Sequence, residues 1–214
     1  MGYGSGTRRV LGVALCLGAL AAVASPIGSA ALPAPEELVP NTIVRIDEAA
    51  SRDDETITRA ELRHGVALAA EGIRPVPRPG EKRYEPLERA ALAGLIEPVW
   101  IRGQAAEMEI VVTRDQVRSQ LAKVKRETFT TGADFRTFLK GTPFTRRDIY
   151  ERVELQLLVA RLQRRVVAGV KSEAEKQKAF SEFLDEFNER WRARTVCAPE
   201  HVTVRCSNGP PPPS

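Results

Sequence analysis

From Leu95 to Val170 the apolar positions return at helical intervals in three consecutive stretches, and short phenylalanine-bearing joints separate them. The first stretch closes on Ile110-Val111-Val112-Thr113, where Thr113 and Gln116 have the spacing of a capping box. A hydroxyl three residues before a Gln can satisfy amide groups that have no partner at a helix start. The helix that begins there carries Val117, Leu121 and Val124 on one side and basic residues on the others, which predicts an amphipathic element. Phe129, Phe135 and Phe138 follow around Gly132. Gly141-Thr142-Pro143-Phe144 then breaks the chain before Thr145 and Asp148 restart it. The longest helix runs from about Arg146 to Ala168. It places Ile149, Val153, Leu157 and Ala160 on one line and Leu155, Leu158, Leu162 and Val166 on another, a pattern that predicts burial between neighbours.

The flanks extend the same reading. Asn41 to Ile46 alternates apolar and polar residues, and Thr56-Ile57 follows the polar loop Asp47 to Glu55, so a small hairpin is expected. Thr58 and Glu61 form another capping-box pair, opening a helix through Leu62, Val66, Leu68 and Ala69 that Gly72 ends. A proline-rich connection from Arg74 to Arg83 leads to a helix with Pro86 in its first turn, apolar at Leu87, Ala90, Ala91, Leu95 and Val99. Pro98 predicts a kink in it. Beyond Val170, Ser172 and Glu175 repeat the capping spacing ahead of a stripe of Phe180, Phe183, Leu184, Phe187 and Trp191. Such a stripe must dock on its own domain or on a partner. Residues 207–214 end in a proline run that predicts a disordered or polyproline tail. The fold class expected is mainly α: a bundle of amphipathic helices with a small N-terminal β-hairpin, forming one domain over residues 32–206.

The N-terminus changes the expected compartment. Arg8 and Arg9, the apolar run Val10 to Val23 and the small residues Gly28-Ser29-Ala30-Ala31 read as a secretory signal over residues 1–31. The run is shorter than the roughly 20 residues that span a bilayer, so membrane contact is expected only through this segment if it stays uncleaved. Cys16 follows Leu15, where a lipid-attachment motif requires a small residue, and Arg8-Arg9 also permits twin-arginine export. Cys197 and Cys206 are then the remaining cysteines. A disulfide between them is the simplest arrangement in an oxidising space; free thiols, or a metal site with His201, are the alternatives.

Charge and site chemistry narrow the function classes. The formal net charge of +4 includes Arg8 and Arg9, and the remaining charges are interspersed along helices. That pattern implies no preference for nucleic acid. The chain carries no Gly-rich phosphate loop, no Cys/His/carboxylate run with metal spacing and no Gly-x-Ser-x-Gly elbow. His64, on an expected helix, and His201, in the expected disulfide loop, are its two histidines, and with no partnered base or nucleophile each reads as an ordinary surface or packing histidine. No catalytic residue, metal or cofactor is therefore expected.

Thr56-Ile57-Thr58-Arg59-Ala60-Glu61-Leu62 after a strand, the unit from Leu95 to Val117, the segment from Phe135 to Val170 and the closing Glu189-Arg190-Trp191-Arg192-Ala193-Arg194-Thr195-Val196-Cys197-Ala198 together resemble the SurA N-terminal-type chaperone domain. That group comprises SurA/PrsA-like extracytoplasmic foldases, here of actinobacterial type, and the likeness covers most of Asn41 to Cys206. Family members usually have an Asn-Gly turn where this chain has Asp47 to Glu55, and generally glycine where it has Glu109. In catalytic relatives a parvulin isomerase domain follows the long helix. Here Val170 leads almost directly into the helix at Ser172.

The resemblance implies an extracytoplasmic, ATP-independent holding chaperone, secreted or in the cell envelope. Its partners would be unfolded or newly exported polypeptides held in an apolar helical groove. Phe129, Phe135, Phe138, Phe144 and Tyr150 lie at the helix joints and are the candidate client-binding residues; the alternative is that each ring is ordinary core. Two other functions compete: an envelope scaffold that binds one dedicated partner, and a divergent peptidyl-prolyl isomerase. The oligomeric state is not legible.

Overall fold

A computed structural model describes residues 41–47 and 55–211. The expected signal segment, most of the polar loop after Asp47 and the last three residues of the tail lie outside the described residues. The described chain runs β1 (Thr42–Ile46), β2 (Glu55–Thr58), α1 (Arg59–Ala69), α2 (Tyr84–Glu107), α3 (Arg114–Thr128), α4 (Gly132–Gly141), α5 (Arg146–Val166), α6 (Glu173–Ala193) and β3 (Thr195–Cys197), followed by a short 3-10 turn at Pro199–His201. The protein is mainly α, as its sequence pattern predicts.

The expected hairpin is present, with Val44 opposite Ile57 in an antiparallel pair. It is not the whole sheet. β3 pairs antiparallel with the other edge of β1, Val44 opposite Cys197, so the strand order is β2-β1-β3. The register of β1 against β2 shifts between Thr42 and Val44, and Ile43, Val44 and Ile46 are all fully buried instead of alternating. Cys197 and Cys206 form a disulfide, Cα–Cα 5.7 Å, and both are fully buried. The pinned region extends past the expected domain boundary. Ser207 donates its amide to the Thr195 carbonyl at 2.7 Å, Asn208 Nδ2 donates to the Cys197 carbonyl at 2.8 Å, and Arg192 donates to the Gly209 carbonyl at 2.9 Å.

Local chemistry sets the helix starts. Thr58/Glu61, Thr113/Gln116, Thr145/Asp148 and Ser172/Glu175 form complete capping boxes at α1, α3, α5 and α6. A fifth, Thr131/Asp134, starts α4 where the sequence suggested only a joint. Asp in the third helical position does there what Glu or Gln does elsewhere. Helix α2 continues through Pro98. The carbonyl that Pro98 leaves without a helical donor belongs to Gly94, which is exposed to water. Glu109, at the turn after α2, has φ 56°, the left-handed region that favours glycine.

The main core gathers Ile43, Val44, Ile46 and Ile57 of the sheet, Leu62 and Val66 of α1, the inner face of α2, and Phe187 and Trp191 of α6. A second cluster joins Ala105 and Ile110 to Leu158 and Leu162 of α5. The two tryptophans are tied to buried polar partners. Trp100 Nε1 donates to Thr195 Oγ1 at 2.9 Å, and that hydroxyl donates to the Trp191 carbonyl at 2.8 Å. Trp191 Nε1 donates to Gln104 Oε1 at 3.1 Å. These bonds meet the requirement that a buried indole N–H find an acceptor. Ion pairs from Arg190 and Arg194 to Glu107, at 3.3 and 2.6 Å, hold the end of α6 to the end of α2.

Helix α5 departs from the expectation of burial between neighbours. Val153, Leu158 and Leu162 are buried, but Ala160 on the first line is exposed, and Ile149, Leu157, Leu155 and Val166 are only half-buried.

Candidate functional site

Helix α3 ends at Phe129, whose extended backbone turns the chain into α4. The capping box at Thr131 then directs Phe135 and Phe138 back toward it, and Thr142 Oγ1 donates to the Phe138 carbonyl at 3.0 Å to close α4. The result is a continuous chain of rings. Phe129 meets Phe135 edge-on at 5.2 Å and Phe138 at 5.6 Å, and Phe138 stacks on Phe144 at 5.8 Å. Separations of this size suit attraction between aromatic quadrupoles. Two cations cover the chain: Lys125 Nζ lies 4.4 Å from the Phe135 centroid, and the Arg152 guanidinium 5.2 Å from that of Phe144. Phe135 is buried; Phe129, Phe138 and Phe144 are half-buried. Tyr150 is half-buried on α5 and is not among these ring pairs.

The ring chain opens on two recesses. At one end Phe129 and Phe135, with Ala122, Lys125 and Arg126, line a shallow depression of about 560 Å³ between α3 and α4. At the other end Phe144 lines a cleft of about 280 Å³ with Leu68 of α1, Leu95 and Pro98 of α2, and Leu155 of α5. His64 and Asp148 stand at the rim of that cleft. His64 Nε2 lies 3.0 Å from both carboxylate oxygens of Asp148 and so links α1 to the first turn of α5.

Asp148 has two tasks, because it is also the capping partner of Thr145. Burial acts to raise its carboxyl pKa. The hydroxyl and amide of Thr145, together with His64, outweigh burial and hold the group below its ordinary value of 3.8. A depressed folded value means that its stabilising contribution is complete above pH 3.8 and is lost as pH falls through the lower folded value. Acid titration followed by circular dichroism is expected to show this loss in the wild type and a shallower loss in Asp148→Asn. Equal acid sensitivity of the two proteins would contradict the assignment.

A third recess follows from the α6 stripe. Phe187 and Trp191 are buried in the main core, whereas Phe180, Phe183 and Leu184 border a groove of about 220 Å³ with Ile101, Val159 and Leu162. Sequence reasoning found the stripe but no site in it. The signal was its length, five apolar positions over three turns, more than one side of a small core covers.

The arrangement offers contact surface more than reacting groups. His201 packs at the sheet end, its Nδ1 3.0 Å from Glu88 Oε1 and its Nε2 3.4 Å from Arg59 Nη1. Among the described residues no group of three or more His, Cys, Asp or Glu side chains is placed to hold a metal ion, and no helix is long and apolar enough to cross a membrane. No family model, curated protein or solved structure matches the chain.

Proposed function

We propose that this protein is an ATP-independent holding chaperone acting outside the cytoplasm, which binds unfolded or newly exported polypeptides along the Phe129–Phe135–Phe138–Phe144 ring chain. The observation that carries this reading is the position of those rings: linked at 5 to 6 Å, with Phe129, Phe138 and Phe144 only partly covered, they open on a recess at each end. Apolar, polarisable surface of this kind binds many sequences weakly, because it relies on shape and water exclusion rather than on matched hydrogen bonds. The flanking Lys125 and Arg152 add cation–π contacts open to aromatic clients. The buried disulfide suits an oxidising compartment. The order of sequence segments resembling the SurA N-terminal-type domain, without a parvulin domain after the long helix, points the same way.

The test is suppression of aggregation of several chemically unfolded proteins without nucleotide. Protection at near-stoichiometric ratios is expected, and the Phe129→Ala/Phe144→Ala variant should need several-fold more protein for the same protection while keeping its helical content. Absence of protection across unrelated clients, with one partner retained in pull-downs, would assign the protein to a dedicated scaffold role. Turnover of a prolyl test peptide would assign it to the isomerases.

A further inference from the structure

The depression between α3 and α4 is lined by Lys125 and Arg126 together with Ala122, Phe129, Phe135 and the exposed turn at 130–132, and no acidic side chain belongs to that lining. A third cation stands at its edge. A Cβ added to Gly132 would lie 3.7 Å from Arg136 Nη1, which places that guanidinium beside the turn.

Helices α3 and α4 carry seven basic and three acidic residues between them, and all three acids are engaged within their own helices or caps. Asp115 pairs with Arg118 at 3.2 Å and Glu127 with Lys123 at 3.9 Å, while Asp134 accepts the Thr131 amide at 2.7 Å and its hydroxyl at 2.9 Å. Lys125, Arg126 and Arg136 make no ion pair among the described residues, and Lys125 lies over the Phe135 ring. The helix dipole accounts for two of the three. Lys125 and Arg126 occupy the last turn of α3, where it favours cations, whereas Arg136 sits in the N-terminal half of α4, where it gives a cation nothing. The recess at the far end of the ring chain differs, because its arginines stand among Glu55, Glu61, Asp148 and Glu151. An unopposed positive charge therefore belongs to the α3/α4 end.

Resting on the chaperone reading above, we propose that this depression selects client segments in which an acidic residue adjoins an apolar one. The apolar side chain lies against Phe129 and Phe135, and the carboxylate is held among Lys125, Arg126 and Arg136, the two guanidinium groups offering forked donors. A polypeptide suits the site better than an anionic membrane, because no large apolar side chain of α3 or α4 stands exposed to enter hydrocarbon. Charge pairs at this exposure are screened, so the selectivity depends on salt.

Fluorescence anisotropy of short labelled peptides titrated with the purified protein tests this. A peptide alternating glutamate with leucine is expected to bind about tenfold more tightly than its lysine–leucine counterpart at low salt, with the gap narrowing at high salt. Arg126→Glu/Arg136→Glu should close or reverse the gap, whereas Lys140→Glu, in the last turn of α4 and outside the lining, should leave it within about twofold. All three positions are exposed, and circular dichroism checks that both variants keep their helical content. Equal affinity for the two peptides, or an equal loss of preference in both variants, overturns the inference. So does binding of polyglutamate or of phosphatidylglycerol vesicles as tightly as the glutamate–leucine peptide, which would mark a general polyanion or membrane surface. Aggregation suppression separates this result from the chaperone reading: protection without any peptide preference removes only the selectivity, and a peptide preference without protection removes the chaperone and keeps the depression as a selective peptide site.

Discussion

Gly103→Ala is expected to destabilise this protein by about 3 kcal/mol, although Ala is the better helix former by about 1 kcal/mol. Gly103 lies inside α2, where helix propensity alone would favour the substitution. A Cβ at this position would stand 2.0 Å from Trp191 Cη2 and 2.8 Å from Cζ2 and Cζ3, far inside contact distance. The indole cannot retreat. It is fully buried, its N–H is held by Gln104 at 3.1 Å, and the Arg194 guanidinium lies 4.9 Å from its ring. The methyl group therefore lifts α6 off α2, and the overpacking cost exceeds the propensity gain.

Gly94, two and a half turns earlier on the same helix, is the control. A Cβ there meets nothing within 4 Å, so Gly94→Ala should raise stability by up to about 1 kcal/mol. Thermal melts of the two variants should move in opposite directions, Gly103→Ala falling by about 10 °C. A rise in both would mean that α6 does not dock on α2 as described.

Removal of the disulfide has an effect of similar size. Cys197 and Cys206 are separated by 9 positions, and closing so short a loop is worth about 2 to 3 kcal/mol in the unfolded-chain entropy treatment. The native side adds to this. The loop holds β3 against β1, where Ala198 donates to the Ile43 carbonyl at 2.8 Å, and it presents Asn208 to both the amide and the carbonyl of Cys197. Cys197→Ala/Cys206→Ala is therefore expected to melt about 10 °C lower than the oxidised wild type. Reductant should lower the wild type by a similar amount and leave the variant unchanged. Hydrogen exchange at the Ala198 amide offers a local reading, with faster exchange expected once the staple is gone. A melt insensitive to both treatments would place the strand's stability elsewhere.

The candidate site was legible only in part. Phe129, Phe135, Phe138, Phe144 and Tyr150 are recognisable in sequence as rings at helix joints, because helix ends are where an apolar face stops being covered by its own neighbours. The ring chain itself depends on α4, which turns Phe135 and Phe138 back onto Phe129 and brings Phe144 onto Phe138, leaving Tyr150 outside. The His64–Asp148 contact spans α1 and α5 and left no sequence signature. The α5/α6 groove was present in sequence as an apolar stripe, without any indication of which of its positions would stay open.

By itself the sequence determined the hairpin and every helix but α4, which it read as a joint. Capping boxes act over three residues, apolar spacing over three or four, and strand alternation over two, so each is complete within a short window. Tertiary structure decided the rest: that Thr195–Cys197 becomes a third strand, that Gly103 must be bare for Trp191, and that α6 buries Trp191 while leaving Leu184 half open. Those outcomes depend on surfaces from distant parts of the chain meeting at close-packed density, where a single methyl group changes the sign of a substitution.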